Sequence, residues 1–214
     1  MPSSVEVKIC GISTPEARDA AVDAGASMLG FVFFPRSPRN VSLEHARDLT
    51  AGMPVSVGRV PLLVNASDNM IGQVVDAIDP TLLQLHGSET PERCAQIQSA
   101  FGIHVMKAVG IASGGDVLRA KEFADVCDRL LLDAKPRPGA DRPGGNAERF
   151  DWSLVADLDL GIPWLLAGGL TPDNVAEAIR VTGCPGVDVS SGVESAPGVK
   201  DAELIRRFVA AARA

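Results

Sequence analysis

The stretch "PWLLAGGLTPDNVAEAI", residues 163–179, contains one complete unit of structure. An apolar run from Pro163 to Ala167 reads as a strand, Gly168 and Gly169 turn the chain, and Thr171-Pro172 announces a helix. Threonine can cap the free N–H groups of a helix start, and proline at the first helical position gives up no hydrogen bond. If this unit recurs, the fold is a parallel sheet with helical crossovers.

It does recur. Strand-like runs stand at "VEVKICG" (5–11), "MLGFVFF" (28–34), "SVGRVPLLV" (56–64) and "LLQLHG" (82–87). Further runs are "IHVMKAVG" (103–110), "RLLLDA" (129–134), "PWLLAGG" (163–169) and "GVDVSSG" (186–192). Helical spacing lies between them, as in Met70, Ile71, Val74, Val75 and Ile78, and again in Leu204, Ile205, Phe208, Val209 and Ala212. Thr14-Pro15 and Thr90-Pro91 repeat the helix-start signal, and Ser42 before Leu43-Glu44-His45 opens another helix.

Eight strand–helix units with short links predict an α/β chain closed into a single barrel of parallel strands, one domain over residues 1–214. The structural rival is an open doubly wound sheet. That fold carries a Gly-rich fingerprint after its first strand, and "CGISTPE" (10–16) has no GxGxxG. One long Pro/Gly-rich stretch, "AKPRPGADRPGGNAERF" (134–150), follows the sixth strand. A loop of that length in a compact domain is more often functional than ornamental, and its position suggests closure over a substrate.

Bulk composition narrows the function. At 46% hydrophobic and 22% charged residues, the 214-residue chain has an ordinary globular balance. A net charge of -7 argues against nucleic acid or an anionic membrane as partner. Any anionic substrate must therefore be held by a local device. "MPSSVEVK" (1–8) does not resemble a signal peptide, and no apolar run is long enough to span a bilayer. Cys10, Cys94, Cys127 and Cys184 are scattered, with no CxxC pair, as expected of free thiols in a reducing cytoplasm. Nothing in the helix faces demands a dimer, so a monomer is expected.

On such a barrel the working face lies at the C-terminal ends of the strands. Cys10, Gln84, His86, Asp133, Gly168, Gly169, Asp188, Ser190 and Ser191 all fall late in their strands or just beyond. Alternation places Lys8 on the face of Cys10, Gln84 with His86, and Asp188 with Ser190. Lys8 and Asp188 are then expected as buried partners across the barrel.

"AGGLTPDN" (167–174) reads as a phosphate cradle, since two glycines allow close backbone approach and a helix N-terminus offers unpaired N–H groups. "SSGVE" (190–194) offers a second set of donors from Ser190, Ser191 and Gly192. Loops after the seventh and eighth strands are where phosphate sites recur on this barrel. The bland alternative is that these glycines only make turns.

Cys10 is either a small core filler or a tool. Asp133, after three leucines, is awkward unless it faces a site, where a carboxyl can hold a proton near neutral pH. A thiol and a carboxyl on opposite walls of one pocket make a base and acid pair. A hydrolase triad needs a histidine beside the thiol, and His45 and His104 are misplaced, which leaves only His86. Cys94, Cys127 and Cys184 fall in helical or helix-end segments and read as structural.

Taken in order, "KICGIS", "GFVFFPRSPRNVS", "LQLHG", "MKAVG", "LLDA…PGGN…FDW", "LAGGLTPDNVAEAI" and "GVDVSSGVE…PGVKD" resemble the phosphoribosylanthranilate isomerases of tryptophan biosynthesis. The resemblance runs from about residue 5 to 209. It implies a (β/α)8, or TIM, barrel that converts an aminoaldose, N-(5-phosphoribosyl)anthranilate, to an aminoketose, 1-(2-carboxyphenylamino)-1-deoxyribulose 5-phosphate, by an Amadori rearrangement. It further implies Cys10 as general base, Asp133 as general acid, Arg39 of "SPRN" against the anthranilate carboxylate, and "AGGL" and "SSG" as phosphate loops.

The chemistry suits those residues. An acid opens the furanose ring to a Schiff-base cation, and a thiolate with lowered pKa removes the acidified C2 proton. A guanidinium grips a carboxylate in a bidentate manner that lysine cannot reproduce. No electron or group carrier takes part, so neither cofactor nor metal is expected. Gln84, His86 and Asp188 are expected to line the pocket without an assigned step.

One departure stands in the third strand. It reads "SVGRVPLLVN" (56–65), where the family more often has a plain apolar run, so Arg59 and Pro61 predict an altered strand or mouth. A histidine-pathway isomerase would carry aspartates on the first and fifth strands, where this chain has Cys10 and Lys107. A non-catalytic phospho-ligand-binding barrel would be marked by loss of the acid or base, and both are present.

Overall fold

The structure is a computed structural model that describes residues 5–135, 139, 144 and 149–214. The expectation placed on the 134–150 loop rests mostly on residues outside that set.

Eight parallel strands close on themselves: β1 (Glu6–Cys10), β2 (Met28–Phe33), β3 (Gly58–Leu63), β4 (Leu83–Leu85), β5 (Val105–Ile111), β6 (Arg129–Ala134), β7 (Trp164–Leu166) and β8 (Gly186–Val189). Closure is made where β8 pairs β1, with Val7 opposite Val187 and Lys8 opposite Asp188. The helices α1 (Pro15–Asp23), α2 (Leu43–Thr50), α3 (Asp68–Ile78) and α4 (Pro91–Phe101) follow the first four strands. Then come α5 (Gly114–Ala124), α6 (Val175–Thr182) and α7 (Ala202–Ala212).

The caps form as the sequence requires. Thr14 accepts from Ala17 N, Ser42 from His45 N and Thr90 from Arg93 N, each through its side chain. The third Thr-Pro behaves differently: α6 begins only at Val175, with Thr171-Pro172 in the turn before it. Asn174 explains the delay. Its Oδ1 accepts from Thr171 N at 2.8 Å and its Nδ2 donates to the Gly169 carbonyl at 3.0 Å, so the turn is closed before the helix starts. The sixth crossover also departs from the expected pattern. Among the described residues between β6 and β7 the helical element is one 3-10 turn, Trp152–Val155. Beyond β8 lies an unanticipated hairpin, β9 (Glu194–Ala196) with β10 (Val199–Lys200), entered through a 3-10 turn over Ser191–Val193.

The apolar mass divides as strand alternation dictates. Val7, Ile9, Leu29, Phe31, Leu63, Leu83 and Leu132 face outward and bury the inner sides of the helices, such as Ile71, Val74, Ile205 and Phe208. Inside the barrel, Met28, Val60, Met106, Leu131 and Leu165 fill the lower layers. Nearer the mouth Cys10, Val32 and Leu62 form a smaller cluster against Phe34 and Val64. Cys94, Cys127 and Cys184 are free and buried, as expected of core thiols.

The third strand is unbroken from Gly58 to Leu63 and pairs with β2 along its length. Arg59 lies at the opposite end of the barrel, where its Nε donates to the Asp79 carbonyl at 2.9 Å. Pro61 stays in register with Phe31 of β2. The carbonyls of Arg59 and Leu63 turn toward the β4 side, where they accept from Thr81 N and His86 N. Pro61 has the same orientation, and β3–β4 pairing starts only at Leu62, so its missing N–H costs the ladder little.

Candidate active site

Cys10 is the last residue of β1 and sits beside Gly30 of β2 in register. A side chain there would crowd the pair: a Cβ would fall 2.8 Å from Cys10 Sγ and 3.0 Å from both Cys10 Cα and Lys8 Nζ. Gly11, at φ 81°, makes the turn that leaves the strand, and its N–H donates to the Gly30 carbonyl at 2.9 Å. The stem of Arg39 lies directly over it, so a side chain at position 11 is excluded twice, by backbone strain and by contact.

Lys8 and Asp188 are indeed buried partners, with Nζ 2.7 Å from Oδ1. They are neighbours on adjacent strands and do not reach across the barrel as expected. Burial works against the lysine charge, but Asp188 and then Cys10 outweigh it and raise Lys8 above its ordinary value. For Cys10 the balance goes the other way from expectation. Burial pushes the thiol up, the Lys8 ammonium pulls against it, and Asp188 adds to the rise, so the net direction is upward.

Asp133 enters from β6. Its Oδ1 accepts from Ala134 N at 2.8 Å, and its Oδ2 is 3.4 Å from His86 Nε2. His86 Nδ1 in turn lies 3.1 Å from Gln84 Nε2. A chain from Gln84 through His86 to Asp133 thus gives Gln84 of β4 and His86 just beyond it a place that sequence alone did not supply. Among the described residues the Gln84 Oε1 atom, fully buried, has no hydrogen-bond partner.

Cys10, Arg39, Gln84, His86, Asp133, Asp188 and Ser190 meet around one pocket, whose apolar wall is Val32, Phe34, Leu62 and Val64. Gly168, Gly169, Ser191 and Gly192 are not part of its wall and lie in the two neighbouring loops. Gly168, at φ 88°, lets loop seven pass Asp133: a Cβ there would come 2.7 Å from Ala134 N and 3.2 Å from Asp133 Oδ1. Gly192 serves a close approach between loops seven and eight, since a Cβ on it would land on the Leu170 carbonyl oxygen. Both glycines therefore shape the two loops that were read as the phosphate cradle.

Arg39, the predicted carboxylate grip, is buried and already holds a partner. Its Nε and Nη2 donate to Glu194 Oε1 and Oε2 at 2.7 and 2.8 Å. Glu194 and Lys200, which bonds it at 2.7 Å, stand within quoted motifs yet had no predicted role. Among the described residues no group of three or more His, Cys, Asp or Glu is placed to hold a metal ion. Among them no helix is long and apolar enough to cross a membrane.

The family model described as "N-(5'phosphoribosyl)anthranilate (PRA) isomerase" matches residues 7–211. The chain belongs to the N-(5'-phosphoribosyl)anthranilate isomerase family. It is 54% identical over 211 residues to the N-(5'-phosphoribosyl)anthranilate isomerase of Rhodopseudomonas palustris (strain BisB5), covering 99% of this chain and 97% of that one. Two solved structures align over 97% of this chain and 98% of theirs. One is a monomeric form of dimeric phosphoribosylanthranilate isomerase from Thermotoga maritima, 40% identical with a TM-score of 0.84. The other is a phosphoribosylanthranilate isomerase in complex with reduced 1-(o-carboxyphenylamino)-1-deoxyribulose 5-phosphate, 39% identical with a TM-score of 0.85. The isomerase of tryptophan biosynthesis and the TIM barrel read from the motifs are thereby borne out.

Proposed function

We propose that Cys10 is the general base and Asp133 the general acid of the Amadori rearrangement of N-(5-phosphoribosyl)anthranilate. Asp133 delivers a proton to the furanose oxygen, the C1–O bond breaks, and the anilino nitrogen closes a Schiff-base cation. Cys10 takes the C2 proton, whose electrons form the C1–C2 double bond of an enolamine. Tautomerisation to the C2 carbonyl completes the aminoketose. Only protons move, so the reading calls for no cofactor.

The observation that carries this reading is the convergence of Cys10 and Asp133 from strands β1 and β6 on one pocket. Lys8 supplies the positive charge a thiolate needs, since its ammonium pulls the Cys10 thiol against the upward push of burial. Arg39 takes the anthranilate carboxylate, and Gln84, His86 and Asp188 line the substrate. The phosphate rests on Gly168, Gly169, Ser190, Ser191 and Gly192, whose backbone donors hold a dianion despite a net charge of -7.

The chain works as one catalytic domain over 1–214 and resides in the cytoplasm in this reading. A monomer is favoured because the exposed large apolar side chains among the described residues lie in three separate segments: Val55 in the turn before β3, Leu118 on α5 and Val199 on β10. A dimer in sedimentation would overturn that point alone.

The test is turnover of freshly generated substrate, followed by its fluorescence, in the native chain, Cys10→Ser and Asp133→Asn. Both variants are expected to fall by about a hundredfold or more while still binding a stable product analogue. A native chain that binds the analogue without turning substrate over would leave a phospho-ligand-binding barrel in place of the enzyme.

A further inference from the structure

We propose that Glu194 is a positioning residue that fixes the Arg39 guanidinium with its outer edge toward the pocket, and so sets selectivity for a substrate bearing a carboxylate. The inference rests on the reading that Arg39 receives that carboxylate.

A guanidinium offers two forks to planar anions, one through Nε and Nη2 and one through Nη1 and Nη2. Glu194 occupies the first with both oxygens, at 2.7 and 2.8 Å. Among the described residues Nη1 has no hydrogen-bond partner, and Arg39 lines the pocket. The stem is confined as well: it crosses Gly11 so closely that a Cβ there would fall 3.2 Å from Cγ and closer still to Cδ. With one fork held and the stem pinned, the second fork has one direction to face.

Glu194 is itself held from three sides. Lys200 Nζ donates to Oε1 at 2.7 Å, the Gly198 N–H donates to Oε2 at 3.1 Å, and Glu194 is the register partner of Lys200 in the β9–β10 hairpin. Lys200 also donates to the Ser190 carbonyl at 2.9 Å, which ties the hairpin to the end of β8. Although burial opposes ionisation of Glu194, Arg39 and Lys200 outweigh it and keep the carboxyl below its usual range.

The charges do not cancel. Arg39 and Lys200 are cations and Glu194 is the one anion among them, with side chains 5%, 1% and 4% exposed. The neighbouring Lys8–Asp188 pair is neutral. Within this trio two cations face one anion, and the held fork aims the remaining guanidinium edge for charge-assisted bonds to a ligand carboxylate.

The experiment uses two stable ligands on the full chain. One is reduced 1-(o-carboxyphenylamino)-1-deoxyribulose 5-phosphate, and the other is the same molecule without the carboxylate. Calorimetry gives the ratio of their dissociation constants for the native chain, Glu194→Gln and Arg39→Met. The native ratio is expected to exceed about tenfold, and Glu194→Gln to bring it near one while binding of the ligand without the carboxylate is unchanged. An unchanged ratio in Glu194→Gln beside a collapsed one in Arg39→Met overturns the proposal and leaves the Arg39 reading standing. An unchanged ratio in Arg39→Met removes both. Equal weakening of the two ligands in Glu194→Gln marks a merely structural residue and also overturns the proposal. Should Glu194→Gln fail to fold, Glu194→Asp carries the same readout: a smaller fall in the ratio supports the proposal, and no fall overturns it.

Discussion

Lys8 and Asp188 face one another in register at the seam where the last barrel strand meets the first, 2.7 Å apart and buried. Removing one partner strands a charge in the interior. Lys8→Met is expected to cost about 3–5 kcal/mol in urea unfolding. Removing both charges in Lys8→Met/Asp188→Leu is expected to restore most of that stability but not turnover, because Cys10 has lost its neighbouring cation. Recovery of activity in the double variant would contradict the role given to Lys8.

The pH dependence follows from the direction of the thiol. Cys10 is raised above its ordinary value, chiefly by burial, so its basic form grows only as pH climbs past the normal thiol range. The value kcat/KM is expected to rise with pH on the alkaline side. Lys8→Met removes the group that opposes the shift, and the limb moves further upward. A thiolate absorbance titration of the native chain against Cys10→Ser checks the same order. The raised thiol also binds its proton more tightly when folded, so its contribution to stability is complete below the unfolded thiol pKa and declines as pH rises through the folded one.

Two glycines separate contact from strain. Gly192→Ala would place a methyl on the Leu170 carbonyl and force loops seven and eight apart. Affinity for the phosphorylated product analogue is expected to fall by about tenfold or more, together with a loss of melting temperature. Gly102→Ala meets nothing within 4 Å and carries only the penalty of φ 61°. It is expected to cost about 1 kcal/mol and leave affinity alone. Equal effects of the two would sink the loop-contact account.

Asp116 provides an acid-side test away from the chemistry. Lys135 at 2.7 Å, with Ser113 and the Ala112 N–H, draws its carboxyl down to about 2. The folded value lies below the unfolded one, so the stabilisation is present above about pH 4 and lost as pH falls toward 2. Since Lys135 is half exposed, about 1 kcal/mol is a fair size after screening. Asp116→Asn is expected to flatten that limb of a stability–pH curve, and a limb of unchanged slope would assign it to other carboxylates.

Much of this was legible because barrel strands announce themselves locally. Alternation puts Cys10 on the face of Lys8, and the strand-end rule places Asp133 and Asp188 at the mouth from the sequence alone. Pairings between distant residues were not legible. Arg39 and Glu194 are separated by 155 positions, and nothing in "SSGVE" says which cation its glutamate will meet. Arg59 was misplaced because a charged residue in a strand looks the same whichever end of the barrel it faces. Cys10 was expected to be acidified, but burial, which depends on the whole fold, exceeds the pull of the lysine two residues away. The start of α6 was misjudged because Thr-Pro serves a turn as readily as a helix when an asparagine three residues on can close it.

The seam between β1 and β8 sets the order of events on the ribosome. Cys10 and Lys8 emerge first, yet the aspartate that accompanies them belongs to the last barrel strand, and the hairpin that holds Arg39 is made later still. A nascent chain halted after β7 therefore carries an unpaired lysine, an uncovered thiol and an unheld arginine. Competence arrives only with the last barrel strand and the hairpin behind it, so a chain interrupted before β10 carries every reacting group yet no assembled site.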